Sequence, residues 1–330
     1  MQEGISVKGI PSLIYTGETV VDKKLIDVII PAYRPGSGFQ NLLKRLEKQS
    51  LPVRRVLVMN TEEKFWDSRW EKEFPFVEVH HLKKAEFDHG GTRKKAAKLS
   101  GADIMVFMTQ DALPADENLI ENLTAPLEVP GTAAAYARQL PNASCGFVER
   151  YTRSFNYPEQ SSVKSAADLP VYGIKTFFCS NVCAAYKKEI YDRLGGFTER
   201  TIFNEDMIYA GKLIQNGYSI AYAADAKVIH SHNYSCMQQF HRNFDLGVSQ
   251  AQYPEIFQTA SSEGEGIRLV KDTFHYLCRS GKKRLIPWFV LQSACKYAGY
   301  LAGKHYRRLP KRVVLWCSMN KDYWKNGADS

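Results

Sequence analysis

Short apolar runs alternate with helical apolar spacings through the first part of the chain. Each run ends in polar or turn-forming residues, and the segments between runs repeat apolar residues with a helical period. The predicted elements are strands at 25–31, 55–59 and 76–80 and helices at 39–49 and 65–73. This order predicts the start of a right-handed, doubly wound parallel sheet.

A later apolar run, 104–108, is typical of a strand buried on both faces. It ends at Thr109, Gln110 and Asp111, and Pro114 prevents its continuation. An acidic side chain at the carboxyl end of a buried strand lies at the edge where open α/β sheets bind ligands. For Asp111 taken alone, the alternative is an ordinary solvated carboxylate.

The segment F-D-H-G-G-T-R (87–93) precedes a helix predicted at 94–100. Paired glycines allow another backbone to approach closely. Arg93 is expected in the first helical turn, where N–H groups and a guanidinium are suited to hold a phosphate. The alternative is a glycine turn before an ordinary basic helix. The crowding of Asp88, His89 and Arg93 in one short loop favours a binding site.

The middle of the chain predicts further strands and helices around one long loop. Asp116 is expected to cap a helix running through Leu123, and residues 142–170 predict a mobile, loop-rich insertion. The other predicted elements are strands at 133–137, 177–186, 219–223 and 227–229 and a short helix at 187–194.

Two polar groups in this half suggest chemistry. Glu205 and Asp206 open a helix predicted to end near Asn216. They are either acids favoured by the helix dipole or a positioned general base. His230 and His232 follow a predicted strand. They are either structural histidines or imidazoles directed at a metal or a diphosphate.

The C-terminal part predicts helices at 237–250, 265–278 and 286–303, where aromatic and aliphatic residues adjoin basic clusters. Such helices suit an anionic membrane surface or a packed helical cap, and the two can hold together. No uncharged apolar run reaches the ~20 residues that span a bilayer, and no secretory signal begins the chain. We therefore expect a cytoplasmic protein, either soluble or peripheral on the inner face of the plasma membrane.

Composition limits the classes of function. The net charge of +9 indicates anionic partners, and the basic excess is dense at 279–284 and 304–312. No nucleic-acid-binding motif accompanies it, so we do not expect nucleic acid as a partner. The seven cysteines form no C-x-x-C pair, which favours reduced thiols in a cytosolic protein.

Taken in order, the motifs I-I-P-A-Y, F-D-H-G-G-T-R, T-Q-D-A, N-E-D-M and I-H-S-H-N-Y resemble a family 2 nucleotide-sugar glycosyltransferase, and more narrowly the bacterial rhamnosyltransferases of that family. The resemblance covers about 25–250. It implies the GT-A fold, a doubly wound, mostly parallel α/β sheet with helices on both faces. The expected division is a lead (1–24), a catalytic domain with donor (25–114) and acceptor (115–250) halves, and a helical extension (251–330).

The resemblance also implies residue roles. Asp206, with Glu205 beside it, would be the base that deprotonates the acceptor hydroxyl. Asp111 would hold a divalent metal, Mg²⁺ or Mn²⁺, with His230 or His232 as a further ligand. The residues implied in donor binding are Pro31, Ala32, Tyr33, Arg34, Asn60, Thr61, Asp88, His89, Gly90, Arg93, Gln110 and Asp111.

The implied reaction is inverting transfer of a sugar to a hydroxyl of a lipid-linked or growing cell-surface glycan. With β-linked dTDP-L-rhamnose as donor the product is an α-rhamnoside. Two departures from the family pattern keep alternatives open: Asp111 is the only acid in T-Q-D-A, and Asn60 stands where an acid is common. The alternatives are a UDP-sugar donor and a non-catalytic sugar-nucleotide or glycan-binding module. The sequence leaves the acceptor, the linkage and homo-oligomer formation open.

Overall fold

The computed structural model describes residues 24–258 and 263–325, and a nine-stranded sheet forms the centre of these residues. The predicted lead therefore lies outside the described residues, apart from Lys24. The strands are β1 Ile26–Tyr33, β2 Arg55–Thr61, β3 Val77–Leu82, β4 Ile104–Met108, β5 Leu113–Pro114, β6 Thr132–Leu140, β7 Ser162–Lys164, β8 Cys183–Lys187 and β9 Ser219–Ile229.

The strands lie in the order β3-β2-β1-β4-β8-β6-β9-β5, with β7 also paired to β9. Strands β1 to β4 are parallel, as predicted. Beyond them β8 runs antiparallel to both β4 and β6, and β9 is parallel to β6. The carboxyl ends of β1, β2, β4, β6 and β9 consequently meet at one edge of the sheet.

Helices cover both faces of the sheet, which confirms the predicted α/β class. Along β1, Val28 and Ile30 pack with Leu42 on one face, and Ile29 packs with Ala96 on the other. The helices are α1 Ser37–Glu47, α2 Arg69–Glu73, α3 His89–Leu99, α4 Leu119–Thr124, α5 Phe147–Asn156, α6 Leu169–Tyr172, α7 Lys188–Arg193, α8 Glu205–Gln215, α9 Cys236–Gln252, α10 Pro254–Phe257, α11 Glu263–Arg279, α12 Ile286–Lys304, α13 Lys311–Cys317 and α14 Lys321–Lys325.

Helix α3 begins five residues earlier than predicted and takes in both glycines. Asp88 is the N-cap, because its Oδ2 accepts a hydrogen bond from the backbone N–H of Gly91 at 2.6 Å. A Cβ on Gly90 would lie 1.9 Å from the carbonyl oxygen of Thr198. Gly90 is therefore required for close packing inside a helix, and the predicted loop is wrong.

Two other helix predictions are wrong at their N-terminal ends. Helix α2 does not begin at Phe65, because Trp66 is extended and packs its ring on Trp70, with centroids 5.0 Å apart. Asp116 does not cap α4. Its Oδ1 accepts from the N–H of Asn118 at 3.0 Å, and the helix starts only after that turn.

The predicted insertion at 142–170 is ordered by α5 and β7 and is not a continuous loop. The amino group of Lys164 is buried and donates to the carbonyl oxygens of Lys175 and Phe178 at 2.8 and 2.7 Å. These two bonds hold the turn before β8, which is why the strand predicted from 177 begins only at Cys183. The strands predicted at 219–223 and 227–229 are one strand, β9, with a register shift opposite Ala137 and Arg138.

The C-terminal helices α9 and α12 pack with their backbones in contact. Added Cβ atoms on Gly247, Gly299 and Gly303 would lie 2.3, 2.2 and 2.1 Å from carbonyl oxygens of the opposite helix. Helices α9, α13 and α14 enclose a separate apolar core that includes Phe244 and Trp324. Among residues 24–258 and 263–325, none of the helices has the length and apolar character that crossing a bilayer requires.

Candidate active site

Asp111, His230 and His232 lie together at the carboxyl edge of the sheet. The two-residue strand β5 pairs with the end of β9, so the turn that carries Asp111 lies beside the segment that follows β9. Oδ2 of Asp111 is 3.2 Å from Nε2 of His232 and 3.6 Å from Nε2 of His230. The two Nε2 atoms are 3.0 Å apart. The structure thus brings together the three residues predicted to bind metal.

Gln139, at the end of β6, fixes the orientation of His230. Its Oε1 lies 3.0 Å from Nδ1 of His230 and accepts a hydrogen bond from Arg153 at 2.5 Å. An acceptor at Nδ1 places the ring proton there and leaves Nε2 with a free lone pair, which is the usual arrangement of a metal-binding histidine. Burial lowers the pKa of His230 against the opposing effect of Asp111, so the ring is neutral at pH 7.

The three side chains fit a divalent ion. Neighbouring ligands of one ion, each about 2.1 Å from it, lie about 3 Å apart, close to the separations between these atoms. All three ligand atoms lie within 4.8 Å of one another. Burial alone would raise the pKa of Asp111, but the adjacent imidazoles of His230 and His232 outweigh it and hold this pKa well below its usual range. The carboxylate is therefore ionised, as a metal ligand must be.

Glu205 and Asp206, the first residues of α8, have different surroundings. The buried Glu205 pairs with Arg93 at 3.1 Å and accepts from the side-chain amide of Asn181 at 3.2 Å. Asp206 is half-buried, and its two oxygens accept from the backbone N–H groups of Asn181 and Met207 at 3.0 and 2.8 Å. Glu205 is occupied by structural bonds, whereas Asp206 keeps lone pairs available for a proton.

The electrostatics of the pair separate the two roles. Burial raises the pKa of Asp206, and the negative charge of Glu205 raises it further. Burial also opposes ionisation of Glu205, but Arg93 and His89 outweigh it and lower the pKa of that carboxyl. Glu205 is the permanent anion and Asp206 is the group whose proton affinity is increased, which suits a general base.

The F-D-H-G-G-T-R residues surround this pair. The guanidinium of Arg93 is buried against Glu205, and its NH1 also donates to the carbonyl oxygen of His89 at 3.0 Å. Oδ2 of Asp88 accepts from the N–H of Arg200 at 2.8 Å as well as capping α3. In this structure Asp88 binds the backbone at Arg200, and Arg93 binds Glu205. The predicted contacts of Asp88 and Arg93 with a nucleotide stay predictions.

The ends of β1 and β2 form the predicted donor side. Pro31 and Ala32 are in β1, and the exposed Tyr33 meets the ring of Phe65 edge to face at 5.7 Å. The guanidinium of Arg34 lies 4.6 Å from the same Phe65 ring. Together these groups offer a stacking surface of the kind that binds a nucleoside base.

Asn60 and Thr61 end β2 beside this surface and are buried. The amide nitrogen of Asn60 bonds to Nδ1 of His81 at 2.9 Å, but its Oδ1 and the hydroxyl of Thr61 have no hydrogen-bond partner within the described residues. Gln110 joins the two motifs, because its side-chain amide donates to the carbonyl oxygen of Tyr33 and accepts from its N–H at 3.0 and 2.9 Å.

Residues that the sequence did not single out connect the metal cluster to the carboxylates. The amide of Gln139 donates to the hydroxyl of Ser180 at 3.1 Å, and the next residue, Asn181, binds both Glu205 and Asp206. The sequence held only a weak signal for both: Gln139 and Asn181 are amides within mostly apolar segments, A-A-A-Y-A-R-Q-L and F-F-C-S-N-V-C.

The chain is similar to known glycosyltransferases. The family model "Glycosyl transferase family 2" matches residues 27–195. The O-antigen chain rhamnosyltransferase RfbN of Salmonella typhimurium is 39% identical over 303 residues, which cover 91% of this chain and 96% of that protein. The O-antigen chain rhamnosyltransferase WbaN of Salmonella anatum is 37% identical over 302 residues, covering 91% and 95%.

Two solved structures share the fold. The mannosyltransferase PcManGT from Pyrobaculum calidifontis, in complex with GDP-Man and Mn²⁺, has a TM-score of 0.55 at 17% identity, covering 93% of this chain and 87% of that one. S. aureus TarS 1-349, in complex with UDP-GlcNAc, has a TM-score of 0.50 at 14% identity, covering 86% and 91%.

Proposed function

This chain belongs to glycosyl transferase family 2 and is a glycosyltransferase, and on that basis we propose that it transfers L-rhamnose from dTDP-L-rhamnose, with inversion, to a hydroxyl of a growing cell-surface polysaccharide on the cytoplasmic face of the membrane. The names of the two Salmonella relatives support the sugar and the polysaccharide. The observation that carries the proposal is the connection between the Asp111–His230–His232 cluster and Asp206. Gln139 bonds to His230 and to Ser180, and the next residue, Asn181, donates to Asp206.

The proposed step is a single displacement. The acceptor hydroxyl oxygen attacks the anomeric carbon, the bond from that carbon to the diphosphate oxygen breaks, and its electron pair leaves with the nucleoside diphosphate. Asp206 takes the hydroxyl proton. The N–H groups of Asn181 and Met207 fix the carboxylate, and the negative charge of Glu205 increases its proton affinity. Because attack and departure occur on opposite faces, a β-linked donor gives an α-linked product.

Asp111, His230 and His232 would hold Mg²⁺ or Mn²⁺, with Gln139 orienting His230. When bound, such an ion neutralises the charge that develops on the leaving diphosphate. Tyr33, Arg34 and Phe65 would stack against the base, and the buried Asn60 and Thr61 would support this surface from the end of β2. These assignments identify the donor side with the ends of β1 and β2.

The test is nucleotide release from a panel of sugar nucleotides, with Mn²⁺, with Mg²⁺ and with EDTA. We expect metal-dependent release from dTDP-L-rhamnose, because slow hydrolysis without acceptor needs only the donor site. Release from UDP-sugars alone would keep the fold and mechanism and discard the rhamnose assignment. Binding of a sugar nucleotide without turnover, even when lipid-linked glycan is added, would favour the non-catalytic module.

We also propose that the C-terminal helices rest on an anionic membrane surface. Residues 273–321 contain eleven Lys and Arg and no Asp or Glu, so the rest of the chain holds more acidic than basic residues. Helix α12 exposes Trp288, Leu291 and Tyr297, each at least half exposed. Apolar side chains beside basic clusters are the combination that binds anionic lipid.

The surface can be tested by vesicle sedimentation of the full chain. Wild type should bind phosphatidylglycerol vesicles and release them at high salt, while Trp288→Ser with Leu291→Ser should bind much less. Equal sedimentation of both proteins would contradict the proposal. If the pair of substitutions instead converts a dimer to a monomer, the exposed face is covered by a second copy.

A further inference from the structure

Asn181 holds both carboxylates at the start of α8. Its backbone N–H donates to Oδ2 of Asp206 at 3.0 Å, and its side-chain Nδ2 donates to Oε1 of Glu205 at 3.2 Å. Half a rotation about the last bond of an asparagine side chain exchanges its nitrogen and its oxygen. In the turned form Oδ1 would face Glu205, so the rotation of this buried amide decides whether the carboxylate meets a donor or a repelling oxygen.

The hydroxyl of Tyr186 fixes that rotation. It donates to Oδ1 of Asn181 at 2.9 Å, and it can still accept from the thiol of Cys179, whose Sγ is 3.3 Å away. Burial raises the pKa of the Cys179 thiol to about 12 and raises the pKa of Tyr186 well above its usual value. Both groups therefore keep their protons at pH 7. The chain of donors runs in one direction, from the thiol through the phenol and the amide to the carboxylate of Glu205.

Packing holds the ring of Tyr186 in place. Strand β8 carries this side chain into the core, where it is fully buried. Its ring meets those of Phe107, Phe197 and Tyr209 edge to face, with centroids 5.6, 5.5 and 5.7 Å apart. Three aromatic neighbours leave the ring little freedom, so the hydroxyl stays directed at the amide.

We propose that Tyr186 is a positioning residue for the reaction, because its hydroxyl orients the Asn181 amide and thereby sets the proton affinity of Asp206. This inference rests on the proposed function, in which Asp206 is the base. Both bonds from Asn181 favour ionised carboxylates, since one lowers the pKa of Asp206 and the other lowers the pKa of Glu205. Without the hydroxyl both bonds weaken. The pKa of Asp206 should then rise, because its anion loses a donor and a less neutralised Glu205 repels it more strongly.

A tyrosine with a purely structural role would behave differently, because its hydroxyl would contribute to stability and not to the titration of Asp206. Tyr209 offers a matched control for this distinction. Its ring lies in the same aromatic cluster, but its hydroxyl donates to the carbonyl oxygen of Ile190 at 3.4 Å. Tyr209→Phe therefore removes a buried hydroxyl from the same core and leaves the Tyr186–Asn181 bond intact.

Two measurements on the full chain test this role. One is the pH dependence of nucleotide release from dTDP-L-rhamnose, or from the UDP-sugar that replaces it in the panel. The other is an NMR titration of protein with carboxyl-labelled aspartate, in which Asp206→Asn identifies the Asp206 signal. Tyr186→Phe should raise the pKa of Asp206 by about one pH unit, as expected when a hydrogen bond to a charged group weakens, and should slow release about tenfold below that pKa. Tyr209→Phe should change neither measurement.

Asn181→Ala tests whether Tyr186 acts through the amide. This substitution removes the amide and keeps the backbone N–H that binds Asp206, so it should itself raise the pKa of Asp206. Adding Tyr186→Phe to Asn181→Ala should then raise this pKa no further, which a double-mutant cycle measures. If Tyr186→Phe does not fold, Asn181→Ala alone carries the test, because it removes the same restraint on Glu205.

An unchanged Asp206 titration in Tyr186→Phe, or in Asn181→Ala where that variant carries the test, would overturn the inference. So would an equal effect of Tyr186→Phe with and without the Asn181 amide. If the titration shifts as expected but Asp206→Asn keeps most of the release rate, the assignment of Asp206 as base fails and the positioning by Tyr186 stands. The two failures are therefore distinguishable.

Discussion

Replacing Gly299 with alanine should force the packed helices α9 and α12 apart. The added Cβ would lie 2.2 Å from the carbonyl oxygen of Phe240, whereas ordinary contacts begin at 3.4 Å. Both groups belong to helical backbone, so no side-chain rotation relieves the clash, and α9 and α12 must move apart by about 1 Å.

The magnitude follows from two opposed contributions. Overpacking a closely packed interface costs about 1–3 kcal/mol or more, and the lost dispersion along the helix pair adds to it. Alanine offsets about 1 kcal/mol through its higher helix propensity. We expect a net loss of about 2 kcal/mol, which lowers the melting temperature by about 5 °C.

Thermal melting followed by near-UV circular dichroism would measure this loss. Gly266→Ala is the matched control, because it is the same change in α11, where an added Cβ meets nothing within 4 Å. That control should gain about 0.4–1 kcal/mol from reduced freedom of the unfolded chain. If Gly299→Ala melts at or above wild type, the close backbone contact between α9 and α12 does not exist.

Other predictions test the site and the core. Asp206→Asn should abolish transfer and leave dTDP affinity nearly unchanged by calorimetry, and retention of most of the rate would disprove the base assignment. Burial and the charge of Glu205 raise the pKa of Asp206, and only the ionised carboxylate can act as the base, so the rate should fall as pH drops through that raised pKa. Glu205→Gln removes the charge and should shift this acidic side of the pH–rate profile to lower pH. An unchanged profile would contradict the electrostatic coupling of the two residues. Gln139→Leu should weaken Mn²⁺ binding about 10–100-fold, measured by calorimetry, by freeing the His230 ring; equal affinity would show that Gln139 does not orient it. Asp27→Asn should cost about 2 kcal/mol in urea unfolding, since it leaves the Arg54 guanidinium, 2.5 Å away, without its buried anion. Burial opposes ionisation of Asp27, but hydrogen bonds from Arg54 and Ser100 outweigh it and lower the pKa of this carboxyl. The stability that Asp27 contributes is therefore present above the ordinary carboxyl pKa and is lost as pH falls through the lowered pKa. Asp27→Asn should lack this pH dependence.

The first half of the sheet was predictable because its strands are buried on both faces. The run 104–108 is apolar at every position, which is typical of a short strand buried on both faces. The second half was predicted less well, because β8 and β9 obtain their pairing from distant strands and not from local pattern. The start of α3 was missed since two glycines lower helix propensity, and the Asp88 cap and the Thr198 contact that override this are tertiary.

Site residues could be predicted from the sequence where they belong to a local motif. They could not be predicted where contacts between distant segments bring them together. Asp111, His230 and His232 follow strand ends, and the rule that ligands bind at carboxyl edges brought them together. Gln139, Asn181 and Asp206 lie in three separate segments, and nothing in their local spacing indicates that hydrogen bonds bring these segments together.

The double hydrogen bond between Gln110 and the backbone of Tyr33 has a thermodynamic consequence. It ties the aromatic surface at the end of β1 to the residue that immediately precedes Asp111. A nucleotide that binds Tyr33, as proposed above, would therefore also restrict the segment that carries Asp111, and an ion bound by Asp111 would restrict Tyr33. By linkage, if the bound ion changes nucleotide affinity by some factor, the bound nucleotide changes ion affinity by the same factor. The nucleotide and the ion would then bind cooperatively at this edge of the sheet.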